Sequence, residues 1–175
     1  MITEDEIDIL VRQIRVTISD IPAFLTELRQ IGVKHQCTLI CFNHEVMAGR
    51  RHVLSAVIHA KRAFAEGQEI SRTLEVESLL YAAGTRQTGL IGAFGIHTGL
   101  NECYFCIVPA RYEVYDEFSE KVEDAGNEDW EVIEPDKKRH LCQIFGITNA
   151  ELAITGREQL QDLILERVAL LVVNH

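Results

Sequence analysis

Apolar positions recur along this chain with two periods, near two and near 3.6, and the switches between them outline its elements. LVRQIRVTI (10–18) alternates in part and is rich in β-branched residues, which predicts a strand. IPAFLTELRQI follows at helical spacing, with Asp20 as cap, Pro22 in the first turn and Gly32 as the stop. CTLICF (37–42) reads as a short apolar strand. A long helix is expected from about Glu45 to Ala65, closed by Gly67. Ser71 and Glu75 flank the start of the next helix, which stops at Gly84. A short helix follows over 87–94, then a strand over ECYFCIVP (102–109), an acidic helix over 112–124 and a strand at WEVI (130–133). Asp136 caps a helix to Phe145, Thr148 opens a short helical turn, and REQLQDLILERVALLVV (157–173) is the final helix. QIGV, AFGI and QIFGI each pair a glycine with an apolar residue after a helix, the pattern of a left-handed stop.

Few strands, partly separated by helices, predict an α/β (α+β) fold: a small mixed or antiparallel sheet packed with several helices. One compact domain over 1–175 is expected, since 175 residues that are 47% hydrophobic suffice for a sizeable core. No apolar run reaches 18 residues, and MITEDEIDIL carries acids where a signal peptide carries bases, so a cytoplasmic protein with no membrane contact is expected. The five cysteines (37, 41, 103, 106 and 142) are an odd set and read as buried thiols. Cys37 and Cys41 fall on one strand face, Cys103 and Cys106 on opposite faces.

Charge changes this picture through its distribution. The net charge is -10, but residues 113–136 alone hold 11 acids and one base, leaving 16 of each elsewhere. The acidic segment reads as a solvated helix face and loop. Val46 to Arg72, by contrast, holds five bases and two acids.

Chemistry is sparse. GLIGAFG (89–95) follows no strand and lacks a Lys-Ser/Thr, so it is no phosphate loop. His44 and His52 resemble a ligand pair, but no acids or thiols stand with them, and no metal or cofactor is expected. No nucleophile motif is present, so no enzymatic activity and no small-molecule substrate are expected. Two apolar stripes, one through Val46, Val53, Val57, Ala60 and Phe64, the other through Met47, Leu54, Ile58 and Ala65, mark the long helix as largely buried. Arg50 aligns with Lys61 along its axis and Arg51 with Arg62. These bases are either long stems reaching out of a buried helix or a shared anion-binding surface, for which a phosphate backbone is the natural partner. Arg86 and Gln87, just past a helix end, either contact such an anion or clamp orphan carbonyls.

AFAEGQEISRTLEVESLLYAAGTRQ (63–87) resembles one family, the small subunit of the KEOPS complex, whose human member is known as the PRPK-binding protein. The matching features are Ala63-Phe64, Gly67, Ile70-Ser71-Arg72, Leu74 with Val76-Glu77, Leu79-Leu80-Tyr81, Gly84 and Arg86-Gln87. EQLQDLILERVALLVV (158–173) is similar to the family's C-terminal helix. Length and element order agree over most of the chain, least over 113–136. Glu69 departs from an expected Asn, and Thr88 from an expected apolar residue.

The resemblance implies a non-catalytic accessory subunit without cofactor. Its complex makes threonylcarbamoyl adenosine beside the anticodon of tRNAs that read codons beginning with A. It implies binding to the kinase-like subunit and capture of the tRNA 3′ CCA end, and the compact length points to an archaeal source. Arg50, Arg51, Lys61, Arg62, Arg72, Arg86 and Gln87 would then face tRNA, with Tyr81 or Phe64 as a stacking ledge. Leu160, Leu163, Leu170 and Leu171 of the last helix would meet the kinase partner where its own core does not bury them. Two other classes compete: a small-molecule or anion-binding regulatory domain using Arg86, and an enzyme using His97, His140 or a cysteine thiolate.

Overall fold

Four antiparallel strands, β1 (Leu10–Ile18), β2 (Thr38–Asn43), β3 (Gly99–Val108) and β4 (Glu123–Asp124), form one sheet in the order β2-β3-β1-β4. The computed structural model describes residues 8–155 and 159–173. Among them are seven α-helices, so the fold is mixed α and β with an antiparallel sheet. Contacts divide the chain into two units. One contains the described residues up to Asn43 together with Gly95–Asp129; the other contains His44–Phe94 and the described residues from Trp130 onward.

The first unit holds the sheet. Leu10 pairs with Ile107 and Ile14 with Cys103, while Leu39 of β2 also faces Ile107. This register puts Leu10, Ile14, Val16, Ile18, Cys103 and Phe105 into one apolar layer. Helix α1 (Ile21–His35) and helix α4 (Tyr112–Phe118) pack Leu28, Ile31, Val114 and Phe118 against it. Phe105 and Phe118 stack with centroids 4.7 Å apart. Val11, Ile40, Phe42, Tyr104 and Cys106 on the opposite face are buried as well. Burial on both faces explains why TLICF and CYFCIV are continuous apolar runs rather than alternating ones.

Asp20 caps α1 as expected, accepting from the Ala23 amide. Gly32 does not stop the helix, which continues to His35 and ends at left-handed Gln36. The glycine is there for space: a Cβ on it would lie 2.5 Å from the Cys37 carbonyl oxygen. The acidic segment is a helix only to Phe118, followed by a 3-10 turn, and Glu123–Asp124 pairs with β1 as β4.

The second unit is helical: α2 (Arg50–Ala65), α3 (Leu74–Ala83), α5 (Pro135–Phe145), α6 (Asn149–Thr155) and α7 (Gln159–Val173). Helix α2 starts at Arg50 rather than near Glu45, because Gly49 (φ 109°) breaks the chain after a 3-10 turn over His44–Val46. Thr73, not Ser71, caps α3 by accepting from the Val76 amide, and Gly84 ends it in the left-handed region. The expected helix over 87–94 is two 3-10 turns, Thr88–Leu90 and Gly92–Phe94, and Gly95 has no positive φ. WEVI is a turn, not a strand. Glu134 rather than Asp136 occupies the cap of α5, with Pro135 in its first turn, and Gly146 (φ 63°) ends it as QIFGI predicts. Thr148 caps α6 through the Glu151 amide. The expected start of the last helix, 157–158, lies outside the described residues.

Candidate functional site

Of the seven contact residues expected from the sequence, four lie on α2, in two groups. Arg50 and Arg51 form its first turn, Lys61 and Arg62 its last, about 16 Å further along the axis at about 1.5 Å per residue. The first group is held among acids. Gly49 has no side chain to cap the helix, so Glu131 does so from the WEVI turn, its Oε1 accepting from the Arg50 amide at 2.8 Å. Arg51 pairs with Asp162 at 3.2 Å and donates to Gln161 Oε1 at 3.2 Å.

Of the second group, Arg62 borders a pocket of about 260 Å³ within the helical unit, whereas Lys61 is not among its lining residues. His59 and Arg62 of α2, Glu66 and Gln68 of the following turn, and Tyr81 of α3 line it, with Ala169 and Val172 of α7. The rings of His59 and Tyr81 stack with centroids 5.5 Å apart and 19° between planes. Burial, and then the neighbouring Arg62 guanidinium, hold the His59 imidazole below its usual value, so the ring is neutral near pH 7. Burial pushes the Tyr81 phenol up, Glu77 adds to that, and Arg86 opposes it. Arg62 and Arg86 therefore act on the same pair of stacked rings from two different elements. Tyr81 is 1% exposed, so its ring is core that backs His59. The half-buried His59 ring, neutral near pH 7 with the Arg62 guanidinium beside it, is the surface on which a planar heterocycle with an anion attached would stack.

Arg72 is exposed on the loop between α2 and α3, and a buried acid sets that loop's shape. Glu77 is 0% exposed; its carboxylate accepts from the Ile70 amide at 3.0 and 2.8 Å and from the Ser71 amide at 3.2 Å. Arg86 and Gln87 are also exposed. The carbonyls of Leu80, Tyr81 and Ala82 at the end of α3 are taken by Thr85 and Gly84 amides and by the His52 ring, so clamping them is not the work of Arg86. Arg167 does make such a bond elsewhere, from Nε to the Phe145 carbonyl at the end of α5.

His59, Glu66 and Glu77 were not foreseen as parts of this site. Neither expected stacking residue offers a ledge: Tyr81 borders the pocket but is 1% exposed, and Phe64 is not among the lining residues. On α7, Leu160, Leu163 and Leu171 are buried (4%, 9% and 6% exposed), which corrects their reading as partner contacts. Leu170, 41% exposed, is the one of the four that α7 presents to solvent, while exposed Val172 lines the pocket.

His44 and His52 do not share a helix face. His44 sits in a 3-10 turn, stacked on Trp130 with centroids 4.2 Å apart. His52 is buried, accepting from the Ala48 amide at Nδ1 and donating from Nε2 to the Ala82 carbonyl. Among the described residues, no three His, Cys, Asp or Glu side chains gather as a metal site. All five cysteines are free thiols, and burial pushes the Cys37 thiol up. His97 contacts the Leu100 carbonyl in a turn, and His140 is exposed. No described helix is long and apolar enough to cross a membrane. No protein-family model matches the chain, and no curated protein matches it, so function rests on the residues and their geometry.

Proposed function

We propose that this chain is a non-catalytic accessory subunit of the KEOPS tRNA-modifying complex, which binds the kinase-like subunit and holds the tRNA 3′ CCA end. The observation that carries the reading is the pocket where half-buried His59, backed by the buried Tyr81 ring, lies beside Arg62. Tyr81, Arg72, Arg86 and Gln87 belong to the same 63–87 segment on which the resemblance rests. A single-stranded 3′ end needs stacking for its bases and cations for its backbone, and the His59 ring and the Arg62 guanidinium offer one of each. On this reading, exposed Leu170 of α7 belongs to the kinase contact.

The test is a titration of tRNA with and without its terminal CCA against the wild-type chain, K61E/R62E and R50E/R51E. Wild-type affinity should fall when CCA is removed. K61E/R62E should weaken binding at least tenfold and lower the salt slope by about 1.4, for two single-strand phosphate contacts at about 0.7 each. R50E/R51E should do less, because these residues lie about 16 Å along α2 from Lys61 and Arg62. Binding that ignores both CCA and Arg62 defeats the proposal. The pocket also admits a small-ligand reading: adenosine monophosphate that binds as tightly as the tRNA, and competes with it fully, would favour a nucleotide-binding regulatory domain.

A further inference from the structure

Lys137 stands apart from the site above and from everything the proposed function uses. It occupies the first turn of α5, half-buried, with Nζ 3.4 Å from Nδ1 of His44. The His44 ring lies flat on Trp130, which is 4% exposed, so the imidazole is fixed as one wall beside the amine. Glu131 and Glu45 face the amine as acids, and the buried ring of His52 feels its charge. The N-terminal end of a helix is the positive end of its dipole, which also disfavours a cation there.

We propose that Lys137 is a nucleophilic acylation site, taking acyl groups from thioesters with His44 as the adjacent proton acceptor. The neutral Nζ attacks the thioester carbonyl carbon and the carbon–sulfur bond breaks. The proton lost from nitrogen passes to His44 Nδ1 and then to the departing thiolate, so the products are an amide and a thiol. His44 must carry its own proton on Nε2 for this. An acyl-lysine is uncharged, as a half-buried position prefers. Burial, only partly opposed by Glu131 and Glu45, lowers the ammonium of Lys137 from 10.5 to about 8. At pH 7 that leaves roughly 9% of the amine neutral against about 0.03% for an ordinary lysine. A weaker base is also a weaker nucleophile, so the net advantage is about tenfold.

The adjacent Lys138 on the same turn is the internal control. The folded chain is incubated with acetyl coenzyme A at several pH values, and acetylation at each of the five lysines is followed by mass spectrometry. Lys137 should react about tenfold faster than Lys138 at pH 7. Its rate should level off above pH 8 to 9 in the folded chain, but not in urea. H44Q should slow Lys137 several-fold without changing Lys138. In urea the preference should vanish. Equal rates at Lys137 and Lys138 in the folded chain, no levelling of the Lys137 rate, or a preference that survives urea would overturn the assignment. The wild-type pH profile decides the matter even where H44Q perturbs the fold.

Discussion

His52 ties the approach to α2 to the last turn of α3, the two helices that carry the His59–Tyr81 stack, and acid should loosen that tie. Its Nδ1 accepts from Ala48 at 3.0 Å, and its Nε2 donates to the Ala82 carbonyl at 2.8 Å. The ring is 0% exposed and meets Phe145 edge-on. Protonating it would turn an accepting nitrogen against an amide donor and bury a charge. Burial, with the nearby Lys137 charge as a lesser cause and the Ala82 bond opposing, holds it at about 4 instead of 6.5. Between those values the unfolded chain binds a proton that the folded chain refuses, so this group's effect is to make stability fall as pH falls. Stability is undiminished above about pH 7.5, loses about 1.4 kcal/mol by pH 5.5 and about 2.6 kcal/mol by pH 4.5, and levels off below about pH 3.5 near 3.4 kcal/mol.

Acid also titrates the carboxylates, so the effect of His52 must be read as a difference. His52→Gln keeps polar atoms at the position but cannot titrate. At pH 7.5 it should cost about 1–3 kcal/mol for imperfectly replaced buried hydrogen bonds. The carboxylates are common to both chains and largely cancel. Urea unfolding followed by the fluorescence of Trp130, the one tryptophan and a member of the same helical unit, reports both proteins. The gap between wild type and variant should shrink by about 2.6 kcal/mol from pH 7.5 to 4.5, enough to close it or reverse its sign. A gap constant across that range would show that His52 is not a buried neutral ring, and the link between the two helices would need another explanation.

Two further substitutions probe the same architecture. Glu77→Gln should cost about 2 kcal/mol, because one amide oxygen cannot replace the carboxylate that receives both the Ile70 and Ser71 amides. Hydrogen exchange at Ile70 and Ser71 should quicken in this variant, and unchanged protection would show that the acid does not hold the Arg72 loop. Gly32→Ala would raise helix propensity at an exposed site, but here it should destabilise by about 1–3 kcal/mol in urea unfolding, since the new methyl meets the Cys37 backbone oxygen. A stabilised variant would mean that the α1–β2 turn gives way easily.

What could be read from the chain follows the range of the interactions that decide it. Strand β1, strand β3, the Asp20 cap and the stops at Gly84 and Gly146 depend on residues within a turn of one another, and spacing alone reveals them. The start of α2 does not: Gly49 offers no cap, and the group that replaces it, Glu131, is 81 residues away in sequence, inside a stretch that looks like a strand. Gly32 imitates a stop because a glycine for close approach and a glycine for positive φ are the same letter. The bases of the candidate site were legible because surface cations need only be counted along a helix. His59 was not, since it sits in an apolar run and matters through a ring on another helix. Glu77 looks like one more surface acid in LEVESLL, although it is fully buried.

A net charge of -10 is no objection to an RNA-facing surface, because many of the acids are already bound to something. Arg15 pairs with Glu102, Glu123 and Glu128; Glu117 meets Lys34 and His35; Lys121 holds Glu27. Asp124 accepts from the Tyr115 hydroxyl at 2.6 Å and from the Gly126 amide at 2.7 Å, which holds its carboxyl below the usual range, while burial and that same bond push Tyr115 up to about 12. Glu131 lies on the N-terminus of α2. Within the acidic tract these contacts engage five of the eleven acids, Glu117, Glu123, Asp124, Glu128 and Glu131. Charges more than about 8 Å apart are screened at physiological salt, so a phosphate responds to the local sign and not to the total. Near the His59–Tyr81 stack that local sign is set by Arg62 and Arg86 against Glu66 and the buried Glu77. At Tyr81 the charge of Glu77 exceeds that of Arg86, so the side of the pocket that favours an anion is the one where Arg62 stands beside His59.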